Sequence, residues 1–519
     1  MLAWPRPLQF IAPLPLGLAL LGLACTAEPA PAEGDTQADD TTTGDGDGDG
    51  DNEDSTDTGD TGDPVECSEA PGPWDMGFAI ESHDTPSGDP EAGLHALVHE
   101  DYVPCGIPYD LFIAAAQLVP SLQGEKLPWR EGKAAELPYD FNLVVSAGGT
   151  ELVSNNCLSC HAGYLNGELV IGLGRHDADF TNTTGIASML PTLDPETDAG
   201  MELAKFKART QVAAPYIQTY TIGTNPADIV AIVLAAHRDP DTLAWSDEPL
   251  IEVNPQMIPV DTPPWWRVGK KNGHFYNGMS RGDHRGSMMF ASSLCTDDIE
   301  TAEQMVDYFA DIRAYLESIE PPAYPWAVDQ QLAAEGEAVF ECNCAGCHGT
   351  YSSNPDAETY PNLLLPLELV GTDPAMAEAA HDPGVSPTVE WFNASWYGQF
   401  AQLLPDQPFV GYTAPPLDGV WATAPFFHNG SVPSIELVLD SSKRPTYWKR
   451  ASYDSTDYDQ AQLGWAFVEV DYGQDDAPAS ERKHIYDTTI YAHDKGGHTF
   501  GDHLTDDERA AVLEYLKTI

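Results

Sequence analysis

The pattern of apolar and polar positions is clearest between Asp298 and Ile319. There Ile299, Ala302, Val306, Phe309, Ile312, Leu316 and Ile319 recur every three or four residues, the spacing of one buried helix face. Asp297 and Glu300 stand at its start as a capping-box-like pair, and Pro321-Pro322 stops the run. That stop predicts a domain boundary. Beyond it Gln330 to Phe340 predicts another helix, and Thr505-Asp-Asp-Glu508 reads as a capping box opening a last helix to Ile519. Ala510, Val512, Leu513 and Leu516 give the last helix an apolar face, expected to pack on the Gln330 to Phe340 helix. Ile107 to Val119 and Ala227 to His237 are two further expected helices. The connections are long and rich in Pro and Gly, so the expected fold class is mainly α with long irregular loops.

The N-terminal pattern differs. Residues 1–25 carry one Arg, Arg6, and an apolar run from Phe10 to Ala24, which predicts an export signal; the run is too short and Pro-punctuated for a membrane span. It ends Leu21-Gly22-Leu23-Ala24-Cys25, similar to a bacterial lipobox with Cys25 as the lipidated residue. Gly22 is a less usual choice there, and simple export with a structural Cys25 is the alternative. The expected location is the periplasm or cell surface, with membrane contact only through the lipid anchor. Residues 26–66 hold fifteen Asp or Glu, no Lys or Arg and no aromatic residue, which predicts a disordered, self-repelling tether. Asp45 to Gly50 also resembles the start of a calcium loop, but its twelfth position is Thr56 rather than Glu, which argues against an EF-hand.

The chain carries a formal charge of −58, of which about −44 belongs to residues 67–519. Such a charge argues against nucleic acid as a partner. It is compatible with a basic electron-transfer protein, or with no more than a well-solvated surface.

Chemistry enters with two short motifs, Cys157-Leu-Ser-Cys160-His161 and Cys344-Ala-Gly-Cys347-His348. Two thiols one helical turn apart reach the two vinyl groups of one porphyrin, and the His that follows reaches its iron from the same turn. A zinc ribbon would bring its two Cys pairs far closer together, and a redox dithiol needs no trailing His. The motifs predict two covalently bound haem c groups, with His161 and His348 as proximal iron ligands. Cys342 precedes Cys344 by two residues, but Cys344 gives the two-residue gap to Cys347. Of the nine cysteines, Cys67, Cys105, Cys295 and Cys342 remain for up to two disulfides, with three pairings open.

The sixth iron position decides between electron transfer and reactivity. Around the second motif the candidates are His428, in Pro425-Phe-Phe-His428-Asn-Gly, and His498, in Gly496-Gly-His498-Thr-Phe-Gly. Around the first, Trp265, Trp266, Phe275 and Tyr276 fall within twelve residues and are candidates either to wall a dry pocket or to form ordinary core. Met288 and Met289 are possible ligands or packing residues.

These residues resemble the di-haem cytochrome c peroxidase superfamily, and within it the rubber-oxygenase-like branch, over most of residues 140–519. The resemblance rests on both haem motifs, on Pro263-Pro-Trp-Trp with Phe275-Tyr-Asn-Gly278, and on Pro415-Pro-Leu-Asp-Gly-Val-Trp421-Ala-Thr-Ala-Pro-Phe-Phe-His428-Asn-Gly-Ser-Val-Pro433. Gly497-His498 and the closing Glu514-Tyr-Leu-Lys517 helix add to it.

The resemblance implies two cytochrome c-like haem domains facing each other, 67–321 and 322–519. One haem would react with peroxide or dioxygen while the other relays an electron. It also implies His498 as distal ligand of the second haem, leaving His428 structural. Peroxidases of this type carry a Glu for proton movement, and Gly278 to Thr296 contains none. His274, Asp283 and His284 are near, and Trp265, Trp266, Phe275 and His274 form the expected catalytic set at the first haem. The expected activity is reduction of peroxide or oxygen-dependent attack on an organic substrate. The rival is an electron carrier with both irons six-coordinate.

Overall fold

The computed structural model describes residues 72–119, 122–182, 190–252, 256–354, 357–382, 385–404 and 407–519. The expected export signal, Cys25, the acidic tether with its calcium-like loop, and Cys67 lie outside them. Among the described residues no helix is long and apolar enough to cross a membrane.

Two helix pairs organise the chain. The periodic stretch forms the Ile299–Ser318 helix, capped by Asp298, whose side chain accepts from the Thr301 amide. Asp297 was the expected cap. Its carboxylate is instead engaged by the buried guanidinium groups of Arg209 and Arg238, at 3.1 and 3.2 Å, so the next residue takes the capping role. The helix packs on Pro90–His99, which carries Pro at its first turn and Asp89 as N-cap. Gly93 permits that contact: a Cβ there would sit 2.0 Å from the Asp311 carbonyl oxygen.

The second pair is Gln330–Asn343, capped by Asp329, and Asp506–Leu516, opened by the Thr505–Glu508 capping box. They cross at Gly336, where a Cβ would lie 1.9 Å from the Ala511 carbonyl oxygen, and Phe340 and Tyr515 meet with ring centroids 5.2 Å apart. The expected Ile107 to Val119 helix is split. Ile107–Pro108 pairs as a strand with Leu152 and Val153, and the helix occupies Tyr109–Ala116. Phe141–Val145 and Glu151–Asn155 form an antiparallel hairpin whose turn contains Gly149 at φ +88°. A disulfide joins Cys105 and Cys295.

The chain crosses the Pro321-Pro322 junction repeatedly. Strand Phe78–Ala79 pairs with Leu363 and Leu364, and Trp74 packs in one apolar cluster with Cys347. In return Val389, Trp391, Phe392 and Tyr397 enter the core built by Leu158, Trp265, Phe309 and Ile312. Each core therefore borrows from the other side of the junction.

The Gly336 crossing predicts that Gly336→Val lowers the unfolding free energy by about 1–3 kcal/mol, because the added atoms have no space. Gly269→Ala, where the nearest atom is 3.6 Å from a built Cβ, is expected to leave the denaturation midpoint in place. Chemical denaturation of both variants checks this.

Candidate functional site

At the second motif, the Gln330–Asn343 helix runs into the short Ala345–His348 helix, with the Cys344 amide donating to the Phe340 carbonyl at 2.8 Å. Gly349, at φ +85°, ends the turn just after His348; a Cβ there would meet the Thr359 carbonyl oxygen at 2.0 Å. The motif faces a cleft that is open to solvent. Its walls are chiefly apolar, with Phe340, Leu365, Val370, Phe426, Val438 and Leu516 among them. Cys344 and Cys347 line it as free thiols, whereas Cys342 is disulfide-bonded. The free thiols at this motif are therefore Cys344 and Cys347, the pair with the two-residue gap.

His348 Nδ1 lies 2.8 Å from the Pro415 carbonyl oxygen. A carbonyl only accepts, so Nδ1 carries the proton and Nε2 is left as the donor atom for a metal. His498 lines the same cleft, and its ring centroid is 6.3 Å from that of His348. Two imidazoles on opposite sides of one metal, each bound at about 2 Å, have centroids roughly 6 Å apart. Burial holds His498 down to about 3 and lowers His348, so both are neutral, the form that ligates. Two free thiols, a pinned imidazole and a facing imidazole in an apolar cleft fit a covalently held haem.

His428 also reaches this cleft but is otherwise occupied. Its Nε2 is 3.1 Å from the Tyr412 hydroxyl, its ring stacks on Tyr412 at 4.3 Å, and its carbonyl accepts from the Asp261 amide. Asp261, whose carboxylate accepts from the Tyr276 hydroxyl at 2.9 Å, and Arg267 give the cleft a polar corner. Arg267 Nη2 is buried there without a hydrogen-bond partner in the structure.

The first motif is held differently. Asn156 Oδ1 accepts from the Leu158 amide, and the Cys157 amide donates to the Tyr102 hydroxyl at 3.2 Å. The Leu158–His161 helix passes straight into strand Ala162–Leu165. Cys157 and Cys160 are free thiols. Burial raises the Cys157 thiol to about 11 and lowers the His161 imidazole to about 4. The Gly172 amide donates to the His161 carbonyl, and the Trp265 amide donates to the Gly172 carbonyl, both at 2.8 Å. This ladder lays the Trp265 indole on the His161 ring, with centroids 4.8 Å apart and planes 19° from parallel.

The aromatic segment expected at the first site divides between the two. Trp265 faces His161. Trp266 Nε1 and Arg267 Nε donate to the Asp418 carbonyl at 2.8 and 3.0 Å, three residues beyond the carbonyl that pins His348. Tyr276 lines the second cleft. Phe275 is 37 % exposed and has a φ of +65°. His274 is paired with His284, ring centroids 3.5 Å apart, and its Nδ1 is 3.0 Å from Ser287 Oγ. Burial lowers His274 well below its ordinary value and His284 to about 4. Asp283 is held by Arg285 at 2.6 Å. Met289 is core, with Met288 packed against it. No group of three or more His, Cys, Asp or Glu among the described residues could hold a further metal ion.

Residues 411–449 match the family described as RoxA-like, cytochrome c-like. The matched stretch contains Pro415, Asp418 and His428, in the most specific of the segments on which the sequence resemblance rests. This supports kinship with the rubber-oxygenase-like cytochromes c and implies haem c, with haem-based redox chemistry. Two proteins of Sinorhizobium fredii are similar over longer stretches. Uncharacterized protein y4iJ is 28% identical over 292 residues, covering 44% of this chain and 47% of that protein. Uncharacterized protein y4iM is 24% identical over 415 residues, covering 69% of this chain and 91% of that protein. The chain thus spans about half the length of the first relative and most of the second.

Sequence reasoning missed Tyr102 and Arg444, which hold the first motif and the His498 loop by long-range bonds to backbone, and Asn156, which caps the first motif locally at the Leu158 amide. The cysteine assignment gives a direct prediction. Cys342→Ser is expected to leave the covalent haem content unchanged. Cys344→Ala/Cys347→Ala and Cys157→Ala/Cys160→Ala are each expected to remove one haem from the intact mass of the denatured protein. Equal loss in Cys342→Ser would contradict the assignment.

Proposed function

We propose that this chain is an exported di-haem c-type oxidoreductase. The site at Cys157, Cys160 and His161 reacts with peroxide or dioxygen, and the site at Cys344, Cys347, His348 and His498 relays electrons. The observation that carries the reading is the difference between the two imidazoles. His348 has a second imidazole across the cleft from it, whereas the described ring neighbour of His161 is Trp265, which offers no ligand atom. A bound haem supplies one-electron redox chemistry and, where an axial position is open, a place for a small oxidant.

The chain's own residues supply the rest. Pro415 fixes the orientation of His348, and Trp265 limits how far the His161 ring can turn. The 263–267 segment touches both sites, through the stacked Trp265 on one side and through the hydrogen bonds of Trp266 and Arg267 to Asp418 on the other, and so connects them. Asp283 is tied to Arg285. His274, packed close to His284 and with a buried Nε2 lacking a hydrogen-bond partner, is the group assigned to proton handling in this reading. Export and anchoring at Cys25 rest on the N-terminal sequence. The acidic charge favours a basic electron-transfer partner.

Absorption and electron paramagnetic resonance spectra of the purified protein test this. One low-spin and one high-spin iron are expected, with carbon monoxide or cyanide binding one haem per chain. His498→Ala is expected to convert the low-spin signal and raise binding to two, whereas His428→Ala leaves it at one. Trp265→Ala is expected to perturb the haem on Cys157 and Cys160 alone. Ligand binding confined to the haem on Cys344 and Cys347 would overturn the assignment, and none at either haem would leave an electron carrier.

A further inference from the structure

The loop that carries His498 is held by a residue far from it in sequence. Arg444 is 6 % exposed, and its five N–H groups all go to backbone carbonyls. Nε donates to Leu437 at 2.7 Å. Nη1 donates to Lys495 at 2.9 Å and to Gly497 at 2.6 Å. Nη2 donates to Val438 and to His498, both at 3.1 Å. The guanidinium also lies over the Phe427 ring, 4.9 Å from its centroid. None of these five bonds goes to a carboxylate, although Asp502, Asp440 and Asp494 act on the cation through space.

Burying a guanidinium among dipoles is less favourable than filling the same space with an apolar side chain. What the arrangement provides is geometry. Two of its carbonyls belong to the Ile435–Leu439 helix, whose Val438 and Leu439 line the cleft, and three belong to the loop over residues 495–498. The loop would not hold this shape unaided. His498 itself has a φ of +45°, a region L side chains rarely adopt. Gly497, at φ +72°, passes so near Gly371 and Thr372 that a Cβ would lie 2.1 and 2.2 Å from their backbone atoms. On the far side the His498 amide donates to the Val370 carbonyl at 2.6 Å.

We propose that Arg444 is the positioning residue that holds His498 against the second site and so keeps that site closed to small oxidants. This rests on the reading of His498 as the axial partner of His348. A lysine at this position keeps the charge but presents three donors on one atom, and it cannot span two segments as the planar guanidinium does.

The test uses the full chain matured with both haems, as Arg444→Lys and Arg444→Gln, with His498→Ala as the reference for a fully open site. Intact mass is expected to show two haems in each. Both Arg444 variants are expected to gain a high-spin fraction at the second haem and at least tenfold tighter cyanide binding there, and added imidazole is expected to restore the low-spin spectrum. Where the Gln variant fails to mature, the Lys variant still gives the answer. Low-spin spectra and unchanged cyanide affinity in the Arg444 variants, alongside an opened His498→Ala, would overturn the role of Arg444. An unchanged spectrum in His498→Ala would instead remove the ligand reading, and the proposal with it.

Discussion

The hydrogen bond from His348 Nδ1 to the Pro415 carbonyl fixes what the second cleft can hold. An imidazole free to turn presents either nitrogen; one whose Nδ1 proton is committed presents a bare Nε2 in one direction. The loop that supplies this carbonyl is itself constrained. The Leu417 amide donates to the Tyr351 hydroxyl at 2.5 Å, and that hydroxyl donates to the His348 carbonyl at 2.8 Å, so the motif and its anchor brace each other. One residue on, the Asp418 carbonyl receives both Trp266 and Arg267. A displacement of this loop would move the His348 ring and the segment leading to the first site together.

That linkage explains why the halves of the chain interleave rather than stand as two beads. Lys270, just after the 263–267 segment, bonds Glu358 and Asp418 at 2.6 Å each, and the Asn272 amide donates to Asn362. Trp74 fills the space left by the absent side chain of Gly346, between the two thiols of the second motif. In the proposed di-haem reading the two sites need a fixed separation, and contacts crossing the junction in both directions hold it better than one linker could.

What the sequence made legible was local. A Cys-x-x-Cys-His needs one helical turn and nothing else, so both motifs were readable, as was the Thr505–Glu508 box. The hairpin over 141–155, with Gly148-Gly149 between two apolar runs, carried a turn signal that went unused. Capping at Asp297 rather than Asp298 was misjudged because two buried arginines, distant in sequence, claim Asp297 first. The aromatics of 265–276 were candidates either for one pocket wall or for ordinary core, and a turn at positive φ splits them, exposing Phe275 and sending Tyr276 to the other cleft. Arg444 was invisible for a related reason. Its partners are carbonyls, which every residue has, so no residue type marks them.

The charge distribution follows the same division between local and long-range. The chain carries 82 acidic residues against 24 Lys and Arg, yet the imidazoles at both sites are neutral and two buried cations beside the second cleft, Arg267 and Arg444, bond to carbonyls rather than carboxylates. Carboxylates still act on both cations through space: Asp418 and Asp261 on Arg267, and Asp502, Asp440 and Asp494 on Arg444. The direct bonds to carbonyls therefore fix geometry, while the carboxylates around them offset the buried charge without pairing to it.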